Sequence, residues 1–421
     1  MPDTSARPWW RRVFDPFWAV PLMCVAFATA LGLGLPQVDE ATWRWVPTLF
    51  HGGPSGARSL LGTIASSTIS VTGLVFSITM VVLQLASSQF TPRVLGTFLE
   101  SRTTQLTLGV FTGTFVYAMT VMRAVRDADD GGSAFVPQLA VSLSYVFMVL
   151  SVGFFLAFIH HITSSIRVSH VVVQIRHSTQ ATLDKMIPAE HEPYSTRSES
   201  PTWHAPAGHD AALTVPAPRG GILTDVAYRS LVDLGEKHDA VIELTRQVGE
   251  FTPEGVAIAR VWRMDGAAVD RADLDVALPD DIAACLSIFD ERAARQDVLF
   301  GFRQIVDIAE RALSPGVNDP TTATQCLDAL HALLRSAVQR EVPNDCVTGS
   351  DGAVHLVYRP QRVEQMLDLA VDEVAHWGAT SLQTPARLEA MLDDLLAVSL
   401  PMYRDQLYRL KQEAHAAEAA A

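Results

Sequence analysis

The chain has 421 residues, a formal net charge of −14 and a mean hydropathy of +0.18, with 19% charged residues. That charge content lies below the ~25% usual for soluble domains and is unevenly spread. Residues 1–187 hold 12 Lys/Arg and 9 Asp/Glu, leaving 20 and 37 for residues 188–421, a net of −17. So acidic a second half excludes nucleic acid as a partner, because the phosphate backbone repels it.

Charge-free stretches cover residues 16–38, 59–92, 103–122 and 131–166, each long enough for the ~20 residues that cross a bilayer. They predict transmembrane helices near 17–36, 60–86, 104–122 and 138–160. Ala28-Thr29-Ala30 has the small-x-small form of a signal-peptide cleavage site, but the apolar run continues to Leu35 and three more spans follow. Orientation follows from Lys and Arg in the short loops. With the N-terminus inside, Arg7, Arg11, Arg12, Arg93, Arg102, Arg167, Arg176 and Lys185 flank the inner side; Arg44, Arg58, Arg123 and Arg126 flank the outer. Both termini are therefore expected in the cytoplasm. Trp9, Trp10 and Trp18 at one face and Trp43 and Trp45 at the other suit interfacial belts.

The second span is unusual. Its stretch "SSTISVTGLVFSITMVVLQLASSQ" (residues 66–89) carries six Ser, three Thr and two Gln. At 100° per residue, Ser59, Gly62, Ser66, Ser70, Gly73, Ser77, Gln84 and Ser88 share one narrow face with Thr63 at its edge, while Thr68, Thr72 and Thr79 form a nearly opposite group. Three readings apply: small residues for close helix packing, a pathway in which hydroxyls replace part of a solute's hydration shell, or back-bonding to i−4 carbonyls, which suits the Thr group best. The length of the Ser face favours a pathway; Gly109 and Gly113 on the third span already supply a packing step. No Asp, Glu, Lys or Arg lies inside a span, which argues against a proton-coupled pump or voltage sensor. His160 and His161, with His170 and His177, read as interfacial and juxtamembrane residues rather than metal ligands.

Between spans two and three, Pro92 stops the helix, and Val94, Leu95, Phe98 and Leu99 suggest a short amphipathic segment on the inner surface. After span four the helix is expected to continue to Ile187. Six Pro then mark residues 188–220 as a linker. From Gly221, "GILTDV", "AVIELTRQV" and "VAIARVW" read as strands, with a helix over "AYRSLVDLGEKH". A long helix is expected from about 280 to 313, on the spacing of Ile282, Leu286, Phe289, Ala293, Phe300, Ile305 and Ile308. A second follows, capped by Asp319 with Pro320 first, to about 338. "AVHLVYR" reads as a strand, and helices near 361–376 and 384–415 close the chain.

The stretch "RQDVLFGFRQIVDIAERALSPGVNDPTTA" (residues 295–323), behind four N-terminal spans, and the second-span run "STISVTGLVFSITMVVLQLASSQFTPRVL" resemble a DUF-type family of predicted bacterial inner-membrane proteins over nearly the whole chain. The resemblance implies a bacterial plasma-membrane location and four spans with a cytoplasmic domain. It brings no established activity.

In the same region Asp297, Arg303, Asp307 and Arg311 punctuate an apolar helix, with Arg303–Asp307 and Asp307–Arg311 spaced as i,i+4 pairs. Ser314, Asn318, Asp319, Thr321 and Thr322 follow in the next loop and helix start. The constellation reads as a structural joint or as a cytoplasmic ligand site; Asp319 competes with any anion for the helix N-terminus. Cys24, Cys285, Cys326 and Cys346 include no CxxC pair, which gives neither a disulfide framework nor a zinc site. No GxSxG, HExxH or Walker A motif occurs, so no catalytic residue, metal or cofactor is expected.

The expected architecture is a polytopic α-helical membrane protein with four transmembrane helices in residues 1–187, a linker over 188–220 and a mostly helical α+β cytoplasmic domain over 221–421. The expected function is an oligomeric channel or conduit for ions or small polar solutes in the bilayer, lined by the Ser face; the alternative is a non-conducting membrane-anchored sensor or scaffold.

Overall fold

The computed structural model describes residues 18–42, 50, 52–89, 102–127, 134–165, 168–188, 201–205, 213–264 and 277–421, without the side chains of 39–42, 85–89 and 164–165. Two compact units divide the chain between His170 and Val171.

The membrane unit consists of α1 (Ala19–Thr42), α2 (Pro54–Gln89), α3 (Arg102–Met122) and α4 (Gln138–Ser165). All four are long and apolar enough to cross a membrane. In hydrocarbon a helix satisfies its own backbone, so side chains alone set the packing. α3 is the hub, touching the other three. A side chain at Gly109 would collide with Cys24 and Pro21 of α1, and one at Gly113 would crowd the Cys24 carbonyl. These glycines let α1 approach closely. Leu61 and Ile64 of α2 pack with Tyr117 and Val121 of α3 and Val141 of α4. Two polar contacts are buried here: the Tyr117 hydroxyl donates to the Ala140 carbonyl at 2.9 Å, and Thr114 and Ser151 bond at 3.1 Å. Arg58 of α2 pairs with Asp127 and donates to the Val125 carbonyl at 2.9 Å, tying α2 to the turn after α3. At 36 residues, α2 is about 54 Å long, well beyond a ~30 Å hydrocarbon layer.

In the C-terminal unit, α5 (Val168–Met186) leads into two sheets and a helical layer. The strands are β1 (Leu213–Pro216), β2 (Gly221–Val226), β3 (Ala240–Leu244), β4 (Phe251–Thr252), β5 (Ala257–Arg263), β6 (Leu286–Phe289), β7 (Cys346–Thr348) and β8 (Val354–Val357). One sheet has the order β1-β5-β3-β8-β7, antiparallel except for β3 and β8; the other is antiparallel, β4-β2-β6. With α6 (Tyr228–Lys237) and α7 (Leu278–Ala284), the two sheets enclose Leu223, Leu231, Ile242, Ile258, Ile282 and Leu356. The helical layer comprises α8 (Val298–Leu313), α9 (Pro320–Ala337), α10 (Val363–Gly378), α11 (Thr384–Val398) and α12 (Pro401–Ala420).

Four expectations need correction. The single helix over 280–313 is instead α7, β6 and α8. Leu286 and Ile288 alternate inward as β6 pairs with β2, and Asp297 caps a fresh start at Val298. The last helix breaks into α11 and α12, because Ser399 and Leu400 are extended ahead of Pro401, which lacks the N–H needed to continue. Within the expected linker, residues 213–216 form β1, hydrogen-bonded to β5; residues 189–200 and 206–212 lie outside the described set. Finally, α5 packs with the C-terminal unit rather than the membrane unit. Thr182 donates to the Ala294 carbonyl at 2.8 Å, and Arg340 donates to the Ile187 carbonyl and pairs with Asp184, each at 2.7 Å.

Gly301 of α8 faces Thr179 of α5 with no room for a Cβ. Gly301→Ala is expected to lose about 1–3 kcal/mol despite its better helix propensity. Thermal unfolding of the solubilised chain would read this as a fall of several degrees, and Thr179→Ala in the same chain should regain part of it.

Candidate functional site

The two faces of α2 differ in environment. Ala57, Leu61, Ile64, Ala65, Thr68, Val75 and Val82 are buried in the membrane unit. Ser59, Thr63, Ser66, Ser70, Gly73, Ser77 and Gln84 are all exposed, and Gly62 is half-buried. The side chain of Ser88 and the segment of residues 90–101 lie outside the described set. The hydroxyl face therefore points away from the unit's own helices. Gly73 has nothing within 4 Å of a built Cβ, and Gly62 meets only the tip of Met122 at 3.7 Å. Several hydroxyls donate within the helix: Thr63 to the Ser59 carbonyl at 2.8 Å, Ser66 to Thr63 at 3.1 Å and Ser70 to Ser66 at 2.8 Å. Their lone pairs remain outward. On the other group, Thr68, Thr72 and Thr79 donate to the carbonyls of Ile64, Thr68 and Val75.

The C-terminal constellation does not form one site. α8 is about 24 Å long, and its charged residues fall into separate clusters. At its head, Asp297 is 2% exposed and saturated: Arg292 clasps it with two bonds of 2.8 Å, the Gln361 amide donates at 2.7 Å, and it caps Phe300 N–H at 3.0 Å. The Gln361 carbonyl takes the Val298 and Leu299 N–H groups at 2.7 and 3.1 Å, so the first three amides of the helix are satisfied. Midway, Arg303 gathers Asp307, Glu310 at 2.8 Å and Glu373 of α10 at 2.6 Å. Arg311 itself lies exposed in the last turn.

Beyond it, Ser314 donates to the Arg311 carbonyl at 2.7 Å, Asn318 adopts a left-handed φ of 49°, and Asp319 caps α9 through Thr322 N–H and hydroxyl at 3.1 and 2.6 Å. That carboxylate occupies the helix N-terminus. Thr321 is exposed. Among the described residues no three His, Cys, Asp or Glu side chains converge as metal ligands.

Comparison with known proteins follows this layout. A family model described as "Predicted membrane protein (DUF2254)" matches residues 15–394. The chain belongs to that family. It is also similar to uncharacterized proteins Rv1290c of Mycobacterium tuberculosis (strain ATCC 25618 / H37Rv) and Mb1321c of Mycobacterium bovis. Each is 30% identical over 383 residues, which cover 91% of this chain and 71% of the relative. No solved structure matches. This DUF2254 chain is thus a polytopic membrane protein with a mostly helical α+β C-terminal unit.

Sequence reasoning missed Glu310 and Glu373. Glu310 sits seven residues after Arg303, on the same helix face, so its spacing was available. Glu373 arrives from α10 with no sequence signal. Three carboxylates around one guanidinium leave an excess of negative charge. Burial first, then hydrogen bonding and repulsion from Glu373, push the Glu310 carboxyl up to about 7. A carboxyl raised in the folded state binds its proton more tightly there than in the unfolded chain. Its stabilising effect is complete at acid pH and is lost as pH rises through about 7. Glu310→Gln should flatten the stability profile between roughly pH 5 and 7.5, with a higher unfolding midpoint than the parent at pH 8. Parallel profiles for the two proteins would rule the assignment out.

Proposed function

We propose that the protein is one subunit of an oligomeric conduit in the bacterial inner membrane, passing ions or small polar solutes, with both termini in the cytoplasm and the C-terminal unit assembling or gating the pore. The observation that carries the reading is the outward hydroxyl face of α2. Lipid tails offer hydroxyl and amide groups no partners, so the face from Ser59 to Gln84 gains by meeting water, a solute or a second copy. A ring of such faces around a common axis provides all three. Hydroxyls that donate to their own helix present lone pairs to the axis, and oxygen acceptors favour cations and water over anions. The basic flanks support the orientation.

Reconstituted protein should pass potassium or sodium in preference to chloride. Ser70→Leu and Ser77→Leu should each lower that flux several-fold without changing the amount of protein inserted. Flux equal to that of empty liposomes under several gradients would leave the rival: a non-conducting sensor or scaffold in which the same face is a dry contact.

A further inference from the structure

The C-terminal unit contains a cleft that the conduit reading does not use. Met186 and Ile187 at the end of α5 line it, together with Val248, Val298, Tyr228 and Tyr358. Tyr228 opens α6 and Tyr358 follows β8; their rings lie 4.9 Å apart at 60°. They are 8% and 7% exposed, yet among the described residues neither hydroxyl has a hydrogen-bond partner. Neither oxygen is sealed from solvent, so each donor is free to meet an occupant of the cleft. The glutamines of the cleft contrast with them. Gln296 accepts from Val226 N–H at 2.9 Å and donates to its carbonyl at 3.1 Å; Gln247 donates to the Pro360 carbonyl at 2.9 Å; Gln361 is committed to α8. At the rim, Arg359 is exposed and has no ion-pair partner among the described residues.

We propose that this cleft binds a small oxyanion group, which takes the two phenol O–H donors and the Arg359 guanidinium while the rest of the molecule lies against the partly exposed Met186. The chemistry is matched. Burial pushes Tyr358 up to about 12, helped by Asp345, and holds Tyr228 above its ordinary range, so both phenols stay protonated donors. A guanidinium and two O–H donors suit an oxyanion, and the guanidinium charge repels a cation. The place matters as well. α5 begins three residues after α4 ends, so an occupant touches the far end of the helix that follows the fourth span. The site is independent of the conduit reading, and its test leaves that reading untouched.

The test is a thermal-unfolding titration of the full-length, detergent-solubilised protein with inorganic phosphate, acetate, octyl phosphate and a short-chain phosphatidate. Binding to the folded state raises the midpoint saturably. Arg359→Gln should leave the unliganded midpoint unchanged and raise the half-saturating concentration about tenfold, the loss of one charge-assisted bond. Tyr358→Phe, which keeps the ring contact, should weaken binding comparably. A response to free phosphate or acetate identifies a soluble anion; a response to phosphatidate alone identifies a lipid head group. A midpoint unmoved by all four probes, or a ligand-induced shift in both variants as large as in the parent protein, overturns the proposal.

Discussion

A helix in a bilayer has no unsatisfied backbone to hide, so only its side chains decide what it can face. α2 faces two things at once. Its Ala57–Leu61–Ile64–Val75 side is spent on α3 and α4, while Ser59, Ser66, Ser70 and Ser77 look outward, and Ser66 and Ser70 donate only to carbonyls of their own helix. Close packing within the protomer is already supplied elsewhere, by Gly109 and Gly113 against α1. The polar face is left over, and the functional reading rests on that surplus.

In the C-terminal unit the charged and amide groups at the head of α8 are saturated. Asp297, Arg292 and Gln361 close the head of α8. Gly249, at a φ of +91°, packs its backbone so near Asp297 and Arg292 that no side chain fits. The charged residues that stand out in the sequence are thus mostly joints. The Tyr228 and Tyr358 hydroxyls, which stand out least in the sequence, line a cleft without a hydrogen-bond partner among the described residues.

The four spans were legible because each is a charge-free run longer than a bilayer needs. The hydroxyl face was legible because a helix has a fixed angular step. What the sequence hid depends on distant pairing. β6 was read as helix because Ile282, Leu286, Phe289 and Ala293 happen to recur at helical spacing, and only the partner strand β2 reveals the period-two burial. β8 joins β3 in parallel from far along the chain. The Asp319 cap was readable from Asp-Pro followed by Thr322, whereas Glu373 and the Tyr228–Tyr358 pair come together only through tertiary packing.

Spin labels placed singly at residues 66, 70 and 77, and at 68 as a buried control, give the most direct test in lipid. If the outward face of α2 meets water along a shared axis, a water-soluble nickel relaxer will reach labels at all three outward positions, through the depth of the bilayer, and will miss the control. Labels at 70 and 77 that respond to oxygen alone, as lipid-facing sites do, would contradict it.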